Sequence, residues 1–152
     1  MNISETDKAY IAGLIDGEGS ICILKANSKK VGTHSYGAVV QIRMTNKEPV
    51  YFVAERYGGI VKHHNRTSKG KIIYDLKIYS HNAVSLLKDI NQYLQCKGRQ
   101  AGVVFALYKV ETAYGKTADE KELIELERIR LMSLCQRLNK TSHGINIGGR
   151  YD

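Results

Sequence analysis

At 152 residues, with 43% hydrophobic and 25% charged residues, the chain has the size and composition of one folded domain with its own core. No apolar run approaches the ~20 residues of a membrane span, and the N-terminus lacks the basic-then-apolar order of a signal peptide. Three scattered cysteines, Cys22, Cys96 and Cys135, have no zinc spacing and no obvious pairing. The expectation is an intracellular protein with reduced thiols, in a prokaryotic cytoplasm or an organelle. The net charge of +8 is uneven. Ser20 to Val110 holds 15 Lys and Arg against four acids, whereas Asp119 to Glu127 holds five acids against one Lys. A basic middle beside an acidic late segment points to one face for a polyanion. The plainer alternative is solubility charge spread over the surface.

In chain order, Ser4 with Asp7 predicts a capping box opening a helix over about residues 5–16, which Gly17 and Gly19 end. Residues 20–25 predict a strand, 27–37 a polar loop, and 38–44 a second strand in which Val40, Ile42 and Met44 alternate with Val39, Gln41 and Arg43. Asn46-Lys47-Glu48-Pro49 predicts a helix entry with proline in its tolerated first turn; that helix stops at Gly58-Gly59. Residues 60–66 and 71–79 predict a hairpin, the second arm placing Tyr74, Leu76 and Ile78 on one face and Ile73, Asp75 and Lys77 on the other. Adjacent His63 and His64 then point to opposite faces and do not form a metal pair.

Apolar residues at helical spacing predict further helices over 82–94 and around 103–107, separated by the basic link Gln95 to Gln100. Thr117 with Glu120 predicts a second capping box and a helix through about residue 139. The glycine-rich tail from Thr141 to Asp152 is expected to be loose. The order is α-β-β-α-β-β-α with C-terminal helices: one α+β domain of 1–152, with a core of about 4–110, a helical extension of about 117–140 and a tail of 141–152. Its four-stranded antiparallel sheet carries helices on one face and leaves the other open. A curved ribbon of that kind suits the DNA major groove.

The stretch Ile11-Ala12-Gly13-Leu14-Ile15-Asp16-Gly17-Glu18-Gly19 gathers small residues on a helix, then two carboxylates around a glycine. On chemistry alone it reads either as a helix C-cap with two solvated acids, or as a hard-cation site beside a backbone turn where Gly17 takes a positive φ. Those nine positions resemble the signature of the LAGLIDADG homing endonucleases, with Ile11 for the first leucine and Glu18-Gly19 for the last acid-glycine pair.

The resemblance covers roughly Ser4 to Val110 and implies the fold and activity that go with it. It implies metal-dependent hydrolysis of both strands of a long, pseudo-palindromic DNA site at an intron-insertion point. A single motif implies a homodimer, with Ala12, Gly13 and Asp16 at the contact between copies. Glu18 and the Gly17 carbonyl stand where the family binds Mg²⁺ or another divalent cation. Lys97 stands for the lysine that stabilises the phosphate charge. Arg43 and Lys47 stand at two further polar positions near the end of the second strand; a shift of register would substitute Met44 or Thr45 for Arg43. Candidates for DNA contact are Lys25, Lys29, Lys30, Gln41, Arg43, Lys62, His64, Arg66, Lys69, Lys71, Asp75 and Lys77. The alternative is an RNA maturase acting on intron RNA, or a DNA-binding protein on the same fold that does not cleave.

Overall fold

The computed structural model describes residues 2–27, 34–65 and 68–144. The elements follow the order α1 (Glu5–Glu18), β1 (Gly19–Asn27), β2 (His34–Met44), α2 (Lys47–Tyr57), β3 (Ile60–Asn65), β4 (Ile72–Tyr79), α3 (Ser80–Ile90), α4 (Gly98–Lys109) and α5 (Ala118–Gly144), with a 3-10 turn at Asn91–Tyr93 between α3 and α4. The four strands form one antiparallel sheet in the order β1-β2-β4-β3.

Local chemistry sets most of the boundaries. The Ser4 hydroxyl accepts from the Asp7 amide at 3.1 Å and opens α1. Thr117 and Glu120 form a full reciprocal box, 2.8 and 3.3 Å, at the start of α5. Gly58 and Gly59 turn the chain out of α2 at φ of 73° and 108°. A Cβ on Gly59 would also lie 2.7 Å from the Lys77 carbonyl oxygen, so the return into β3 needs glycine there twice over.

Ile21, Val40, Ile42, Leu76 and Ile78 turn one face of the sheet toward the helices. Ile11 and Ile15 of α1, Val50 and Val53 of α2, and Leu86, Leu87 and Ile90 of α3 meet them, all fully buried. Each such aliphatic side chain contributes about 1.5–3 kcal/mol by leaving water. α5 closes the β1 edge: the Cys135 thiol and the Asn139 amide donate to the Ile21 carbonyl at 3.3 and 2.9 Å, and the Tyr36 hydroxyl donates to Glu125 at 2.5 Å.

Several boundaries differ from expectation. α1 runs on to Glu18, because Gly17 keeps a helical neighbourhood and is absent from the positive-φ residues; Gly19 is the C-cap. A Cβ at Gly19 would sit 2.8 Å from the Ile15 Cα, so this glycine answers to packing. β1 and β2 are longer than predicted, since pairing from Gly19–Ile42 to Asn27–His34 recruits polar residues that alternation alone had left in a loop. α3 stops at Ile90, α4 spans Gly98–Lys109, and α5 extends past residue 139 to Gly144, so the start of the expected loose tail is helical. All three cysteines are free thiols, as expected.

Candidate functional site

Residues opposed across an antiparallel ladder share a face of the sheet. The register sets Arg43 opposite Asp75 and Asp75 opposite Lys62; in the next row Ser20 faces Gln41, and Gln41 faces Lys77. This is the face away from the helices, where Arg43, Lys62, His64, Asp75 and Lys77 line one shallow groove.

At its centre Asp75 is only 4% exposed. Its carboxylate accepts from Gln41 Nε2 at 2.6 Å and Arg43 Nη2 at 2.9 Å, and His64 Nε2 stands 3.9 Å away. Burial pushes the Asp75 carboxyl up, but the hydrogen bonds from Gln41 and Arg43, with the charges of Arg43 and Lys77, hold it below the ordinary carboxylate range. It therefore stays ionised and immobile, and its two neighbours are held in place with their remaining donors outward.

Glu18, the last residue of α1, precedes the Gly19–Ile42 pair that opens the β1–β2 ladder, one residue along β2 from Arg43. Glu18 and Arg43 line a cleft with Met44, Thr45 and Ile73. Glu18 is exposed and has no hydrogen-bond or ionic partner among the described residues. A row of alternating charge, Arg43, Asp75, Lys62, thus crosses the sheet, and Glu18 shares a cleft with its Arg43 end.

The predicted site residues do not all gather there. Gln41, Arg43, Lys62, His64 and Lys77 share the open face. Lys69 and Lys71 are exposed in and after the hairpin turn. Lys25 lies on the helix side, over the Tyr36 ring and 3.6 Å from Glu125 of α5, which removes it from the open face. Asp75 lies on the same face, buried beneath Gln41 and Arg43. Lys47 opens α2 and lines a separate groove with Tyr51, Phe52, His63 and Tyr74. Lys29, Lys30 and Arg66 lie outside the described residues. His63 indeed points away from His64, its ring 5.2 Å from that of Tyr74.

In the opening motif the two small residues part company. Ala12 is 0% exposed within its own chain, whereas Gly13 and Gly17 are exposed with nothing within 4 Å of a built Cβ. Asp16 is also engaged internally: its carboxylate accepts the backbone N–H groups of Gln95, Cys96 and Lys97. Lys97, at the N-cap of α4, is 6% exposed, and its Nζ donates to the Asp16 carbonyl at 2.6 Å.

No family model matches the sequence, and no match was found among curated proteins. Solved structures do match. The homing endonuclease I-CvuI, in complex with its target in the presence of calcium, is 15% identical over 89% of this chain and 85% of its own, with a TM-score of 0.68. The archaeal intron-encoded homing endonuclease I-Vdi141I, complexed with DNA, is 14% identical over 89% of this chain and 98% of its own, at 0.57. I-GzeII, described as a LAGLIDADG homing endonuclease in complex with a DNA target, is 16% identical over 82% of this chain but 43% of its own, at 0.62.

This is the LAGLIDADG homing endonuclease fold. On it, Gly17 and Glu18 end the first helix beside the open face of the sheet. The donor set at that point, one free carboxylate and a helix-terminal carbonyl, consists of hard oxygens of the type Mg²⁺ takes. A single chain offers too few for a complete shell: no group of three His, Cys, Asp or Glu suited to a metal occurs among the described residues. The fit is chemical in kind and requires further oxygens from a nucleic-acid phosphate or a second copy. No helix among the described residues is long and apolar enough to cross a membrane.

Proposed function

We propose that the chain is a site-specific DNA endonuclease of the LAGLIDADG type, acting as a homodimer that hydrolyses both strands of a pseudo-palindromic site with Mg²⁺ or a similar divalent cation. The observation that carries this is a juxtaposition: the unpaired acid Glu18 shares a cleft with Arg43, at one end of a basic, preorganised sheet face. DNA complexes of the same fold support the choice of partner.

Gln41, Arg43, Lys62, His64 and Lys77 take the groove side of the duplex, and Asp75 fixes the first two for base readout. Lys69 and Lys71 supply charge for the phosphates. The Gly17 carbonyl and Glu18 would hold the metal, which when bound polarises the scissile phosphate. Arg43 and Lys97 hold positive charge where the phosphate gains negative charge. Two copies of α1 meet along exposed Ala9, Gly13 and Gly17, spaced four apart on one helix face. Two-fold symmetry then supplies one Glu18 for each DNA strand.

The test uses a duplex that the protein itself selects from a randomised pool. Wild type with Mg²⁺ cuts both strands; Glu18→Gln keeps its affinity for the same duplex and loses cutting by at least ~100-fold. Failure of wild type to cut any selected duplex sinks the nuclease reading. Stimulation of intron splicing without DNA cutting would instead establish the maturase alternative.

A further inference from the structure

The ends of α1 and α4 each lack the charged residue that would normally complete them. No basic residue lies in the last turn of α1, and α4 has no acid in its first turn and no side-chain bond from its own N-cap residue. Helix termini leave unpaired carbonyls at one end and unpaired amides at the other, with partial charges to match.

The two helices complete each other. The Asp16 carboxylate takes three consecutive amides ahead of α4, Gln95 at 2.7 Å and Cys96 and Lys97 at 3.0 Å. In return the Lys97 ammonium sits on the Asp16 carbonyl, one of the last of α1, at 2.6 Å. This carbonyl is the only partner of Lys97 Nζ among the described residues. Two of its three N–H donors are therefore left over, at the helix end that carries Glu18.

We propose that Asp16 is a positioning residue for strand cleavage, acting through Lys97. By holding the 95–97 backbone and presenting its own carbonyl, it fixes a nearly buried ammonium beside the Gly17–Glu18 end of α1. This rests on the nuclease reading above, and it reassigns Asp16 from the contact between copies to a contact within one chain.

The test is a double-mutant cycle with Asp16→Asn and Lys97→Met, measured as single-turnover cutting of the selected duplex with Mg²⁺, alongside affinity for that duplex. In parallel, acetylation of Lys97 by an amine-reactive reagent is followed by mass spectrometry in the absence of DNA. Asp16→Asn is expected to slow cutting about 10–100-fold, as a misplaced group does, while affinity is unchanged. It is also expected to raise Lys97 acetylation above the wild-type level.

In the Lys97→Met background, Asp16→Asn should cost no more than about twofold further, because the two act as one unit. An Asp16→Asn effect that persists in full without Lys97, or acetylation that does not change, overturns the proposal. Should Asp16→Asn lose the native circular dichroism spectrum, Asp16→Ser, a good N-cap with a single oxygen, replaces it; unfolding of both makes the role purely structural and also overturns it. A wild type that cuts nothing refutes the nuclease reading instead, a result distinct from a wild type that cuts and an Asp16→Asn protein that cuts equally well.

Discussion

Asp75 is the residue whose setting says most about recognition. On a surface proposed to face DNA a carboxylate repels phosphate, and its presence needs a reason. Here both oxygens are taken, by Gln41 and by Arg43, which converts two flexible side chains into a fixed pair. A fixed arginine that keeps further N–H groups outward is suited to guanine O6 and N7. Asp75→Ala should relax discrimination at one or two base positions by about 1–3 kcal/mol while raising affinity for random duplex, since a negative charge is gone. Competition binding with singly substituted targets measures this; an unchanged base profile would refute the anchor role. The same carboxyl carries a pH signature. Its folded pKa lies below the ordinary value of 3.8, so its stabilising contribution is complete above that pH and is lost as pH falls through the folded value. The stability gap between wild type and Asp75→Asn, followed by urea unfolding, should be constant near neutrality and shrink below about pH 4.

At the scale of elements, α5 does two jobs that its sequence advertises unequally. Its stripe of leucines and isoleucines predicts burial, and Leu131 does enter the core. Leu123 and Leu126 nevertheless remain exposed, while Glu125 between them turns to the sheet and meets Tyr36 and Lys25. The polar members Cys135 and Asn139 matter more for closure, since they satisfy the Ile21 carbonyl on an edge strand that would otherwise invite another chain. Burial, with Cys22 nearby, pushes the Cys135 thiol up to about 11, in keeping with a neutral donor in that contact. Asn139→Ala should therefore cost about 1 kcal/mol, read as a shift in the urea midpoint without a change of slope. A shift no larger than that of an exposed control such as Lys140→Ala would show that Cys135 suffices.

For the whole molecule the decisive surface is the exposed side of α1. Gly13 and Gly17 leave open space where a Cβ would stand, and a neighbouring backbone can approach closely there. Gly13→Leu leaves the core of its own chain untouched, so its thermal unfolding as a dilute monomer should match wild type. On the homodimer proposed above, sedimentation should show a loss of dimer relative to wild type, and double-strand cutting should fall with it. Unchanged mass in solution would place the contact between copies elsewhere.

Much of this was legible without coordinates. The N-cap at Ser4, the capping box at Thr117, the glycine stop after Tyr57 and the alternation in β2 and β4 are local, and short-range chemistry determines them wherever they occur. The nine residues from Ile11 to Gly19 likewise announced the fold by themselves. Strand pairing is a different matter. Only the register shows that Arg43 faces Asp75, that Lys25 turns to the helix side to meet Glu125, and that polar residues 34–37 belong to a strand. The opening motif divides along the same line. Its sequence marked Ala12, Gly13 and Asp16 as a group, but burial and hydrogen bonding separate them into a core residue, an open face and a cap for a helix some 80 positions away. Those roles depend on partners distant in the chain, and a side chain's neighbours across a fold are decided by packing, which no local pattern records.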